Sequence, residues 1–300
     1  MNATPGSNIP HAEGISRVTR GALECVRLDG SAATIEAAVQ GAHLVSWRPA
    51  GERPVLFLSE RSAFTPGKAI RGGVPLIFPW FGARAGNPAV PAHGFARVAP
   101  WRIRDAAITE DGGARLQFEL TSEDAVQVGW THRFLVHFDV LAGSGLTMRL
   151  TVQNNGETPL PFEAAFHTYF AVSDVRDVHI LGLENTEYLD KTEDYARKTQ
   201  DAAPIRFTRE TDRMYLNTPA ACAIVDPAWK RKIVISKQGS LATVVWNPWK
   251  ERAEALSDLG EDQWLKMVCV ESVIAAENSV VLAPGQLHEL VAGIRLEGVD

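Results

Sequence analysis

The stretch Leu146-Thr147-Met148-Arg149-Leu150-Thr151-Val152-Gln153 alternates apolar and polar residues without interruption. Successive side chains on a strand point to opposite faces, so this pattern describes a strand with one buried and one wet face. Ala114-Arg115-Leu116-Gln117-Phe118-Glu119-Leu120-Thr121 repeats it. His132 to Val140, Lys232 to Lys237, Ala242 to Trp246 and Leu287 to Leu296 add strand candidates. Turn formers separate the runs: Asp111-Gly112-Gly113, Gly143-Ser144-Gly145, Asn154-Asn155-Gly156 and Pro284-Gly285. Helical periodicity is nowhere sustained, and short helical pieces are expected only near Lys250 to Leu259. Many strands at short spacing predict an all-β sandwich or barrel.

Between residues 30 and 290 there is no linker rich in Pro, Gly or Ser, and there is no internal repeat. The expected organisation is one large β domain over residues 15–300. Residues 1–14, rich in Pro, Gly, Ser and Asn, are expected to form a flexible N-terminal tail.

The chain has 300 residues, 45% of them hydrophobic, enough for a substantial core. Its net charge of -6 argues against a nonspecific nucleic-acid or membrane surface. An anionic ligand would therefore need a local basic pocket. Cys25, Cys222 and Cys269 are odd in number and widely spaced, which gives neither a disulfide framework nor a zinc pattern. No secretory signal opens the chain and no apolar run approaches a membrane span, so a cytoplasmic location is expected. Walker, Rossmann and Gly-x-Ser-x-Gly patterns are absent, as are His-x-x-x-His and Cys-x-x-Cys, so no metal is expected.

The segment Gly72-Gly73-Val74-Pro75-Leu76-Ile77-Phe78-Pro79-Trp80-Phe81-Gly82, followed by Pro91-Ala92-His93-Gly94-Phe95-Ala96-Arg97, has a different character. Gly and Pro fix a backbone that ordinary residues do not hold. Aromatics supply flat apolar faces, and Arg71 and Arg97 supply forked anion donors. The mixture suits a pocket for a polar ring bearing negative charge.

Other candidates each admit a plain structural reading. His167, among the aromatics of Phe162 to Phe170, is either a desolvated proton-transfer group or a core histidine. Glu271 ends an apolar run, where burial is costly without a partner or a purpose. His93 sits in a rigid turn, and Asp212 is either a hydroxyl acceptor or a solvated loop acid. Trp246-Asn247-Pro248-Trp249 is either a sugar platform or a packing corner. Gly41 to Trp47 reads as a turn into a strand and carries no chemistry.

Together these segments resemble the aldose 1-epimerase (mutarotase) superfamily, from roughly Gly41 to the C-terminus, and most nearly its glucose-6-phosphate 1-epimerase branch. Five motifs carry the resemblance in order: Arg71 to Gly82, His93 to Arg97, Phe166 to Phe170, Trp246 to Trp249 and Val268 to Glu271. One departure is Ser272 after the glutamate, where Pro or Asn is more usual; it puts only the local turn in doubt.

The resemblance implies a large antiparallel β-sandwich with paired catalytic histidines at His93 and His167 and a catalytic carboxylate at Glu271. It implies that Asp212 contacts substrate hydroxyls and that Arg71 and Arg97 lie near the sugar and its phosphate, with Lys68 and Arg84 as weaker phosphate candidates. The implied reaction is exchange of the α and β anomers of a hexose 6-phosphate, without metal or organic cofactor. The expected partner is the small sugar phosphate alone, with no nucleic acid and no membrane, and a monomer is the default. An epimerase of free hexoses and a noncatalytic sugar-binding module are the alternatives. Retention of both histidines and Glu271 speaks against the module.

Overall fold

The computed structural model describes residues 12–84, 86–87, 90–125 and 130–299. Most of the expected tail, residues 1–11, lies outside them. Residues 12–14 form a turn, with Ala12 O accepting from Ile15 N at 3.0 Å and Gly14 O from Asp29 N at 2.7 Å.

Two large antiparallel sheets dominate the described residues, one of nine strands and one of eight. The alternating runs lie next to one another in the first. Strand Gly145–Asn154 sits between Phe134–Ala142 and Leu287–Gly298, with Ala114–Thr121 one strand further out. In Gly145–Asn154, Leu146, Met148, Leu150 and Val152 are all buried, as the period of two requires. Phe134–Ala142 begins two residues later than the sequence suggests and runs two further. The one described α-helix, Trp249–Glu254, is shorter than the expected helical stretch.

The eight-stranded sheet carries Thr211–Tyr215, Ala242–Asn247, Met267–Ile274 and Ala164–Phe166 side by side. Its inner face packs on the nine-stranded sheet; the Phe166 and Phe138 ring centres are 5.8 Å apart across the gap. Buried residues from both sheets form one continuous core, which makes the fold a large antiparallel β-sandwich. Every residue of Met267–Ile274 is buried, so this strand has no wet face to expose by alternation. The three cysteines are free and buried.

Cross-strand register decides what the outer face of the eight-stranded sheet displays. Asp212 pairs with Trp246, Trp246 with Cys269, and Cys269 with Tyr169. Paired residues share a face, and Glu271 lies two residues beyond Cys269. Asp212, Trp246, Tyr169, Cys269 and Glu271 therefore stand together on that face.

Candidate active site

Above that outer face lies a cavity of about 560 Å³, within the size range of small-molecule sites. His93, His167, Glu271, Arg71, Arg97 and Asp212 all line it. Three of them come from irregular chain and need special backbone support. His93 and Gly94 are consecutive left-handed residues, with φ of 63° and 70°. A Cβ on Gly94 would collide with Phe78 O, so only glycine lets the chain pass there. His93 is clamped to Gly82 twice: its N–H donates to Gly82 O at 2.7 Å, and its Nδ1 accepts from Gly82 N at 3.3 Å. With Nδ1 an acceptor, the neutral ring carries its proton on Nε2.

His167 follows directly on strand Ala164–Phe166. Its ring stacks on Tyr169, centres 4.9 Å apart and planes 9° from parallel, and meets Trp246 edge-on at 6.0 Å. His93 lies 5.7 Å away, centre to centre. His167 Nδ1 is 3.5 Å from Glu271 Oε1. Both His167 Nδ1 and Glu271 Oε2 are buried without a hydrogen-bond partner. Burial pushes the Glu271 carboxyl well above the usual range; Lys191 opposes that shift and Asp212 adds to it. Burial also pulls His167 well below its usual value, helped by His93, Arg97, Arg71 and Lys191. His93 is brought down to about 3 by burial and then by Arg97, Lys191 and Arg71. Burial therefore favours the neutral form of both imidazoles.

Four cations reach the cavity: Arg71, Arg97, Lys191 and Arg252. Arg71 is fixed by Asp258, Nε to Oδ1 at 3.1 Å, and donates through Nη1 to the Tyr169 hydroxyl at 3.0 Å. Burial works against its charge, but Tyr169 and Asp258 outweigh that and raise its pKa. Lys191 Nζ bonds Asp212 Oδ1 at 2.8 Å and lies 5.3 Å from the centre of the Phe81 ring. Burial raises the Asp212 carboxyl, with Lys191 opposing. Arg97 Nη2 donates to Ala92 O at 2.7 Å, and no ion pair holds it among the described residues. Its position comes from the short 3-10 turn Ala96–Val98.

Below the site His43 is fully buried, and its Nε2 donates to Gly72 O at 2.7 Å. Burial lowers its pKa to about 4. The segment given no chemistry thus holds up the glycine turn next to Arg71. Glu163 ties two walls together, Oε2 accepting from Phe81 N at 2.8 Å and Oε1 from Ala276 N at 2.9 Å.

Two weaker phosphate candidates do not line the cavity. The Arg84 guanidinium packs 4.9 Å from the centre of the Trp80 ring, drawn by the indole π face. Lys68 lies in a turn whose carbonyl accepts from Gln40 Nε2 at 3.0 Å. The Trp-Asn-Pro-Trp segment divides between its two readings. Trp246 lines the cavity, whereas Trp249 packs against Trp264, centres 4.7 Å apart. Asn247 pins that corner, donating to Trp264 O and Met267 O.

Lys191, Arg252, Tyr195 and Glu210 line the cavity but were not singled out from the sequence. Lys191 lies in Asp190-Lys191-Thr192-Glu193, a charged run indistinguishable from a solvated turn. Arg252 is one cation on a short polar helix. Neither carried a signal that spacing can reveal.

Known proteins share this sequence pattern and fold. The model of the aldose 1-epimerase family matches residues 24–295. A protein of Escherichia coli (strain K12), provisionally named glucose-6-phosphate 1-epimerase, is 38% identical over 287 residues, 94% of this chain and 93% of that one. One of the same name from Cenchrus ciliaris is 36% identical, covering 90% of this chain and 80% of its own. The crystal structure of a provisionally named mutarotase from Salmonella typhimurium superposes with a TM-score of 0.90 at 31% identity, over 96% of this chain and 95% of that one. The chain belongs to the aldose 1-epimerase family.

Proposed function

We propose that the protein exchanges the α and β anomers of a hexose 6-phosphate, glucose 6-phosphate foremost, by acid–base opening and closing of the sugar ring. The observation that carries this reading is the His167–Glu271 pair at 3.5 Å, facing a cavity that also holds His93 and four cations. The names of the relatives support it.

Ring opening needs a base at the C1 hydroxyl and an acid at the ring oxygen. Glu271 takes the C1 hydroxyl proton while His167 gives a proton to the ring oxygen, and the C1–O5 bond breaks to leave an aldehyde. Rotation about C1–C2 presents the other carbonyl face. The two groups then run in reverse. The pair carries one proton throughout: at rest it sits on Glu271, it crosses the 3.5 Å gap to make the reactive glutamate–imidazolium pair, and ring opening leaves carboxylic acid and imidazole again. Burial favours the uncharged form of both groups, so opening the ring discharges a costly ion pair. His93, neutral and with its proton on Nε2, donates a hydrogen bond toward the ring oxygen as charge develops there. Positioned acid and base groups each contribute about 100–10,000-fold.

Arg71 and Arg97 grip the phosphate end, because a dianion on a protein of net charge -6 needs concentrated positive charge. Asp212, tied to Lys191, accepts from sugar hydroxyls. No described helix is long and apolar enough to cross a membrane. Three free cysteines suit a reducing compartment, and we place the protein in the cytoplasm.

The test is NMR saturation exchange between the anomeric signals of glucose 6-phosphate, with and without the protein, repeated with glucose. Acceleration confined to the phosphate ester supports the reading. Equal acceleration of both sugars favours an epimerase of free hexoses, and binding without acceleration favours a sugar-binding module.

A further inference from the structure

We propose that His167, Cys269 and Glu271 form an inhibitory zinc site, in which the bound ion silences the acid–base pair. The silencing rests on the function proposed above; the binding rests only on the three side chains.

One donor atom from each of the three lies within 4.8 Å of the others. Cys269 and Glu271 are two apart on strand Met267–Ile274, so both leave the same face. Tyr169 and Trp246, paired with Cys269 on either side, wall the cluster in. Two atoms there lack any hydrogen-bond partner, His167 Nδ1 and Glu271 Oε2, and Glu271 is only 2% exposed. Unpartnered buried polar atoms are uncommon, and two of them on residues that also cluster with a buried sulfur mark a place prepared for a ligand. The anomer exchange uses the imidazole and the carboxylate. It has no use for the thiol.

Imidazole, thiolate and carboxylate are the donor set zinc takes, whereas magnesium favours oxygen alone. Donor atoms around a tetrahedral zinc lie about 3.3–3.6 Å apart. His167 Nδ1 and Glu271 Oε1 already stand at 3.5 Å. Bringing in the sulfur asks for side-chain movement of roughly 1 Å. Because His167 and Glu271 line the cavity, the ion enters by the sugar's own route, and its fourth position is left to water. On binding, the Cys269 thiol releases its proton to solvent and a Zn–S bond forms. Any proton on Glu271 leaves likewise, and nothing is oxidised or reduced. With the imidazole lone pair and the carboxylate both committed to the metal, neither can carry a proton for the sugar.

The purified full-length protein is titrated with zinc chloride, with magnesium chloride, and with cobalt chloride as a coloured stand-in for zinc. Zinc at micromolar free concentration is expected to slow glucose 6-phosphate anomer exchange about tenfold or more. EDTA restores the rate, and magnesium leaves it unchanged. Cobalt gives a sulfur-to-metal charge-transfer band in the near ultraviolet. In Cys269→Ser and Cys269→Ala, each checked by circular dichroism, the band vanishes and inhibition needs about tenfold more zinc. No band in the unmodified protein overturns the site, whether or not the protein catalyses anomer exchange. A band that survives both substitutions overturns it too, by assigning the metal to Cys25 or Cys222. A Cys269-dependent band with undiminished exchange under zinc overturns the silencing.

Discussion

His167 Nδ1 stands 3.5 Å from Glu271 Oε1, within reach of proton exchange after a small movement and too far for a strong hydrogen bond. The separation is held from both sides. Tyr169 stacks flat on the imidazole and is itself bonded by Arg71, while Glu271 is fixed in a strand with no exposed residue. The proposed acid–base pair, so confined, cannot drift to solvent between turnovers.

Glu271→Gln and His167→Ala are each expected to slow anomer exchange by roughly 100–10,000-fold, with circular dichroism unchanged. The glutamine variant should melt no lower than the parent, because it removes a carboxyl that is costly to bury. Near-normal turnover in either variant refutes the assigned roles.

Arg97→Ala tests the phosphate end. A hydrogen bond to a charged group is worth about 1.5–3 kcal/mol. KM for glucose 6-phosphate should therefore rise about 10- to 100-fold. Activity on glucose should change little. Steady-state assays on both sugars decide, and equal losses would count against a phosphate contact.

His43 makes stability depend on pH. Above its ordinary value of 6.5 the imidazole is neutral in folded and unfolded chains alike. As pH falls below that, the unfolded chain takes a proton that the folded chain refuses until about 4. Stability is thus lost on acidification through this window, by up to about 3 kcal/mol from His43. His93 acts in the same direction, down to about 3. In His43→Gln the amide can still donate to Gly72 O and does not titrate. Urea unfolding at about pH 7 and about pH 5 should show a smaller difference for the variant. An unchanged difference would clear His43 of the effect.

Gly94→Ala should destabilise the protein by about 1–3 kcal/mol through strain at a left-handed residue, more where the new methyl meets Phe78 O. It should also cut activity by displacing His93. A variant with normal melting temperature and turnover would show that this turn is not what positions the imidazole.

Much of this molecule was legible in its alternation. Leu146 to Gln153 and Ala114 to Thr121 each bury one face, because a solvated sheet face leaves a period of two in the sequence. Met267–Ile274 leaves no such trace, being covered on both faces, and only its stranded carboxylate marked it. The six expected site residues line one cavity; the resemblance of their motifs to the family singled them out, since His93, His167 and Asp212 read alone each had a plain structural reading. Lys191 and Arg252 were not legible. A cation on a polar turn looks the same whether it faces bulk water or a cavity, and only the register of distant strands decides which. Arg84 shows the converse, a cation beside the right motif that is turned onto an indole.

Glu163 never lines the cavity, yet it grasps the Phe81 amide with one oxygen and the Ala276 amide with the other. Phe81 abuts His93, and Ala276 follows the strand that bears Glu271. A single remote carboxylate thereby keeps the bank that carries His93 in step with the one that carries Glu271. A lesion at Glu163 would read in kinetics as a fault in chemistry, although the chemical groups themselves would all still be there.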